Sequence, residues 1–289
     1  MVGVCLPGLL SELKLAVPWG HIAAKAWGPQ QATPVLCLHG WLDNANSFDR
    51  LIPLLPKDFH YVAMDFGGHG LSSHYSPGFA YYQENFVSEV RRVVAGKSPF
   101  AFFLSYSFFP FWVTSQFTSI FPEMVDKLIL LDTMPFGLDH NGVENLLTYR
   151  RGAIEHMLQA EASQKPRFLK RNSHLSEENA RLLLQRGTTE VATGRDSPSR
   201  AAPERSISFV SRELFVHSIK QLQARVLLAP AHQRGHSSPS VPSPLQRFQY
   251  AKVPGNHYVH LNQPEIVAGI ISAFLAGALL CTHAMPQET

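Results

Sequence analysis

Cys37-Leu38-His39-Gly40-Trp41 closes a short, unbroken apolar run that begins at Val35. Four apolar residues in a row, ended by His-Gly, fit a strand buried on both faces, as in the middle of a parallel sheet. Tyr61 to Met64 repeats the pattern and runs into Asp65-Phe66-Gly67-Gly68-His69-Gly70-Leu71-Ser72, whose glycines permit a tight loop. Outward from this pair, Ser11 to Val17 and His21 to Trp27 alternate around Pro18-Trp19-Gly20, an opening antiparallel hairpin. Asn46 to Leu55 reads as a helix halted by Pro56, and Tyr82 to Ala95 carries Phe86, Val87, Val90, Val93 and Val94 at helical spacing. Phe100 to Leu104 is a third inner strand, Phe108 to Phe121 a helix, and Lys127 to Leu131 a fourth strand.

From Met134 to about Ser218 the pattern turns helical and polar, with Val143 to Ala160 and Ser176 to Gln185 as its clearest helices. Arg225 to Leu228 and Phe248 to Val253 return to strand, and Pro264 to Leu275 is a final helix. Strands alternating with helices imply parallel order and right-handed crossovers, hence an α/β doubly wound, mostly parallel sheet. Ligands bind such sheets outside the carboxyl ends of the strands. His39, Asp65, Ser107 and Asp132 all lie at or just past such ends.

Composition narrows the classes. The chain of 289 residues is 45% hydrophobic and 16% charged, long enough for one large domain with a substantial core. A net charge of +3 without a long basic run speaks against a nucleic-acid partner. Cys5, Cys37 and Cys281 are odd in number and far apart, which fits a reducing, intracellular compartment better than a disulfide framework. Met1 to Leu10 has no basic n-region of a signal peptide, and the C-terminus lacks a Ser-Lys-Leu signal. The apolar stretch Ile266 to Cys281 is shorter than the roughly 20 residues of a membrane span and reads as a helix packed on the sheet. No dinucleotide or phosphate-binding glycine motif and no Cys-x-x-Cys occurs, so no cofactor is expected. His232 and His236 have a ligand-like spacing, but in a Pro/Ser-rich loop, and no metal is assigned to them.

With Gly255-Asn256-His257 as the third member, these motifs resemble an α/β hydrolase, and within that fold the serine hydrolase-like proteins. The resemblance covers roughly residues 10–275 and is strongest over 33–73, 122–160 and 248–275. It implies an α/β-hydrolase core over 10–133 and 219–280, an inserted helical cap over 134–218, and an irregular Pro/Ser-rich loop over 229–246. It also implies acyl transfer, which needs a nucleophile, a histidine base, an orienting acid and two backbone N–H donors for the oxyanion. His257, in the late loop, takes the place of the base, with His260 as a second candidate. Trp41 and Phe108 take the place of the oxyanion donors, being after the His-Gly turn and after the candidate serine. His39, Gly40, Asp65, Gly68, His69 and Gly70 shape the loops, Asp65 and His69 by tying theirs down.

The family's Gly-x-Ser-x-Gly elbow is rewritten here as Ser105-Tyr106-Ser107-Phe108-Phe109-Pro110. Ser107 is the candidate nucleophile, with Ser105 and Phe109 standing where glycines would pack strand against helix. Counting back from Pro122, the family spacing of about fourteen reaches Phe108, while Ser107 is fifteen away. Eight of the 19 phenylalanines lie between Phe100 and Phe121, which is unlike a helix tuned for close packing. No Asp or Glu occurs between Glu213 and Glu265, where the acid usually stands, which leaves Asp132 as the candidate acid or as a turn cap. Two functions follow. One is a serine hydrolase acting on small ester-like substrates through an acyl-enzyme. The other is a catalytically inactive hydrolase-fold protein that binds an apolar ligand. For either, the cap would select the ligand, and nothing in the sequence fixes the oligomeric state.

Overall fold

In a computed structural model the chain is described at residues 10–76, 81–95, 102–106, 108–132, 151–152, 155, 175–190, 196–198, 222–230 and 247–278. It opens with a hairpin of β1 (Ser11–Val17) and β2 (Gly20–Trp27), joined by a turn in which Gly20 adopts a φ of 142°. Then come β3 (Thr33–Leu38), β4 (Phe59–Met64), α1 (Gln83–Val94), β5 (Phe102–Tyr106), α2 (Phe108–Ile120) and β6 (Lys127–Leu131). α3 (Glu177–Gly187) leads into a small separate antiparallel pair, β7 (Thr188–Glu190) with β8 (Asp196–Pro198). β9 (Arg225–Ala229), β10 (Phe248–Tyr250), the short α4 (Val259–Asn262) and α5 (Pro264–Leu275) complete the order.

Eight strands form one sheet in the order β1-β2-β4-β3-β5-β6-β9-β10, antiparallel over its first two pairings and parallel after them. The chain leaves β3 for β4 on one side and returns to β5 on the other, so β3 is the topological switch point where such sheets take their ligands. Register brings the ends level: Leu38 pairs with both Met64 and Ser105, and Tyr106 pairs with Leu131. The next residues described, His39, Asp65 and Asp132, therefore follow strand ends along one edge of the sheet.

The strand period of two sorts the core into two layers. Leu36, Leu38, Val62, Met64, Phe103, Leu128 and Leu130 face one side, packed with Phe86, Val90 and Val94 of α1 and Val113 and Phe117 of α2. Val35, Cys37, Tyr61, Ala63, Leu104, Ile129 and Leu131 face the other, packed with Val267, Ile271 and Phe274 of α5. Phe48, Leu51, Ile52 and Leu55 join this second layer from the segment between β3 and β4. That segment, expected as a helix over 46–55, is instead two 3₁₀ turns, Ala45–Phe48 and Ile52–Leu54. Pro53 explains the difference: inside an α-helix it would offer no N–H to the Asp49 carbonyl and its ring would strike that group. The third strand also ends two residues later than its sequence pattern indicates, at Tyr106. Of the helix expected over Val143 to Ala160 only residues 151–152 and 155 are described, and they are helical; the rest of it and most of the loop expected over 229–246 fall outside the described residues.

Candidate functional site

His39 is fully buried at the end of β3. Its Nε2 accepts the Phe66 N–H at 3.1 Å, so Nδ1 carries the proton and donates to the Gly40 carbonyl at 2.7 Å. The ring thus ties the end of β3 to the loop after β4, and burial holds its pKa well below the usual imidazole range. The next residues form a turn, closed by the Asp43 N–H on the Gly40 carbonyl at 3.1 Å. Leu42 occupies that turn at a φ of 65°, a left-handed conformation that residues with a Cβ resist. Trp41, the residue implied as oxyanion donor, packs its ring against His69 and Phe86.

Asp65 is fully buried and accepts from the Ala45 N–H at 2.7 Å, the Leu71 N–H at 2.9 Å and Arg186 Nε at 2.9 Å. Gly70, at a φ of 50°, lies so close that a Cβ there would stand 2.3 Å from the Asp65 carboxyl carbon. Gly68 is likewise hemmed in by the Tyr81 ring. His69 Nδ1 is 3.1 Å from the Gly67 carbonyl. Asp65, His69 and the glycines thus serve the shape of the loop.

Asp132 follows β6 at a φ of 42°, a conformation that Asp tolerates better than most residues, and donates its N–H to the Ala229 carbonyl at 2.9 Å. Its Oδ2 lies 2.7 Å from His257 Nδ1. Gly255 lets the histidine loop fold tightly, since at its φ of 135° a Cβ would meet the Val259 side chain at 2.8 Å. The Asn256 side chain then accepts from the Tyr258 N–H and from Asn262 Nδ2. An Nδ1–H held by a carboxylate leaves Nε2 as the basic nitrogen, the arrangement a general base requires. His257 keeps a third of its side-chain surface exposed while Asp132 is 9% exposed. His260 is not brought to Asp132. It is fully buried, its ring 3.7 Å from that of Tyr106, and neither of its nitrogens has a hydrogen-bond partner among the described residues. Burial pushes its pKa down to about 3.

Ser107 lies outside the described residues, between the end of β5 at Tyr106 and the start of α2 at Phe108. Of Phe108 only the backbone is described, and His232 and His236 are not described. Among the described residues there is no group of three His, Cys, Asp or Glu able to hold a metal ion. No helix among them is long and apolar enough to cross a membrane.

Four further residues belong to the site's surroundings and carried no sequence signal. Asp43, 3% exposed, receives the Tyr106 hydroxyl at 2.5 Å and faces the Tyr258 hydroxyl at 3.5 Å. Its carboxyl is pushed up to about 6 by burial, against the pull of Tyr106, His257 and Tyr258. Arg186 reaches from α3 to Asp65 and to Glu12 of β1, at 2.7 and 3.0 Å for the latter. A polar residue in a turn, a tyrosine in a strand and an arginine on a helix look ordinary until the fold brings them together.

The comparisons with known proteins agree with this architecture. Residues 33–102 match the family model described as the alpha/beta hydrolase fold. The human "Serine hydrolase-like protein 2" is 57% identical, covering 98% of this chain and 98% of its own length. The mouse "Serine hydrolase-like protein" is 55% identical over 96% of this chain and 99% of its own. Among solved structures, a hypothetical protein of Pseudomonas aeruginosa PAO1 superposes with a TM-score of 0.78 at 26% identity, covering 95% of this chain and all of that one. With relatives this similar over nearly its whole length, the chain belongs to the serine hydrolase-like proteins of the α/β-hydrolase superfamily.

Proposed function

We propose that the protein is a serine hydrolase that cleaves small ester-like substrates through an acyl-enzyme on Ser107. The observation that carries this reading is the 2.7 Å contact between Asp132 and His257 beside the strand end that Ser107 follows. His257 Nε2 takes the Ser107 proton as the hydroxyl attacks the substrate carbonyl. The oxyanion so formed is held by the amides of Trp41 and Phe108, and Asp132 stabilises the imidazolium. Collapse expels the alcohol, which leaves with the proton from His257. Water, deprotonated by the same nitrogen, then attacks the acyl-enzyme and releases the acid and Ser107. Residues 134–218 serve as the cap that selects the substrate.

The test is labelling of the folded protein with a fluorophosphonate, the adduct being mapped by mass spectrometry. An adduct on Ser107 that disappears in Ser107→Ala and in His257→Ala, with melting temperatures nearly unchanged, is the expected result. Retained labelling in either variant would overturn the assignment. The second reading, a hydrolase fold that binds an apolar ligand without turnover, is favoured by Ser105 and Phe109 at the elbow's glycine positions. It predicts a folded protein that takes no label.

A further inference from the structure

Asp43 is a carboxylate enclosed on all sides. From β5 the Tyr106 hydroxyl donates to its Oδ2 at 2.5 Å and lies 2.8 Å from Ser47 Oγ, whose proton it can accept. From the histidine loop the Tyr258 hydroxyl stands 3.5 Å from its Oδ1, and His257 acts on it through space. Burial and the neighbouring carboxylate push both phenols upward, so that each remains a donor. The Tyr106 ring also packs against that of His260, tilted by 36° with centroids 3.7 Å apart, and lies 6.4 Å from the ring of His257.

The chain positions of these partners give the cluster its meaning. Asp43 is two residues after Trp41, Tyr106 immediately precedes Ser107, and Tyr258 immediately follows His257. The proposed nucleophile, base and first oxyanion donor thus each have a near neighbour in the cluster around one carboxylate. We propose that Asp43 and Tyr106 are positioning residues of this site: the ionised carboxylate of Asp43 is the common anchor that holds the Trp41 turn, the Ser107 junction and the His257 loop in mutual register. This rests on the serine hydrolase reading. It also addresses the missing glycines of the elbow, because a strong hydrogen bond from the residue before the nucleophile supplies the constraint that close strand–helix packing gives elsewhere.

The test uses the full chain with Tyr106→Phe and Tyr258→Phe, which delete one hydroxyl and keep the ring, and with Asp43→Asn. In protein carrying ¹³C-labelled aspartate, the Asp43 carboxyl resonance is assigned by its loss in Asp43→Asn and titrated. The expected midpoint is about 6 in the unaltered chain and higher in Tyr106→Phe, since that hydroxyl favours the ionised form. A midpoint unmoved by Tyr106→Phe overturns the proposal whether or not the protein takes a fluorophosphonate. The second readout is the rate of Ser107 labelling against pH. Tyr106→Phe and Asp43→Asn should slow it roughly ten- to a hundredfold at neutral pH, Tyr258→Phe less, and Tyr106→Phe should move the acidic limb to higher pH. An unchanged rate and limb in Tyr106→Phe also overturn it. Failure of the unaltered chain to label would instead remove the hydrolase reading, and the Asp43 titration would still decide the anchor.

Discussion

Asp132 combines two properties that are seldom separable in one residue. Its left-handed backbone, at a φ of 42°, asks for a side chain such as Asp or Asn, and its carboxylate asks for the charge. Asp132→Asn therefore isolates the second from the first. It should leave the melting temperature nearly unchanged while slowing fluorophosphonate labelling of Ser107 by up to about 10⁴, because the imidazole loses both its tautomer and its counter-charge. Retention of rate in this variant would mean that the pair is structural. The sequence reached Asp132 only because the stretch after β9 holds no acid, whereas His39, Asp65 and His257 were legible from their glycine-flanked motifs. Asp43 was not legible. Its importance comes from a tyrosine 63 positions away and another 215 away, which no local pattern can announce.

At the scale of elements, the inner strands are legible in apolar runs, whereas the helix-like spacing between β3 and β4 is overridden by Pro53 and gives two 3₁₀ turns. α3 was readable as a helix over Ser176 to Gln185, and in the structure Ser176 caps it, but its role was not legible. Near the C-terminal end of α3 the carbonyls of Leu182 and Leu183 accept from the side chains of Asn46 and Asn44, both 2.8 Å away. At the other end Asn179 donates to the Leu261 carbonyl and to Asn262. α3 thus braces both the turn after β3 and the helix after the histidine loop. Arg186, 4% exposed, completes the brace on Asp65, while its Glu12 limb is half exposed and contributes little. Arg186→Leu leaves the Asp65 carboxylate buried without its cation and should cost about 3–5 kcal/mol in denaturant unfolding. Arg186→Lys should recover only part of this, since one ammonium cannot span both carboxylates as the guanidinium fork does. A loss below about 1 kcal/mol would show that the Ala45 and Leu71 amides suffice.

Across the whole molecule, burial sets opposing responses to pH. His69 and His260 are held neutral, their pKa values pushed down to about 4 and about 3, and His39 is lowered as well. Each takes up a proton more readily when unfolded, so each withdraws stability as pH falls below about 6.5. Asp43 and Glu89, pushed up to about 6 and about 7 by burial, act with the other sign and lose stability as pH rises through those values. His260→Phe should therefore flatten the acid side of the stability curve by about 1.4 kcal/mol per pH unit between pH 6.5 and the low end of the range. Parallel curves for the two proteins would refute the neutral, buried state of His260. That the sheet would be mostly parallel could be inferred from alternating elements, but which histidines it would enclose could not.

Sequence distance adds a temporal dimension to these contacts. Asp132 and His257 are 125 residues apart, Asn44 and Leu183 are 139 apart, and Glu12 and Arg186 are 174 apart. Contacts of such span incur their chain-closure entropy before they return any stability, and they form late. On the ribosome, the Trp41 turn and the Asp65 loop emerge long before the helix that braces them or the imidazole that completes them. The sheet from β2 to β6 can pair first, with β6 as its temporary open edge until β9 arrives. Acquisition of the proposed chemistry is therefore the closing event of biosynthesis, and an interrupted chain would be a sheet without a base.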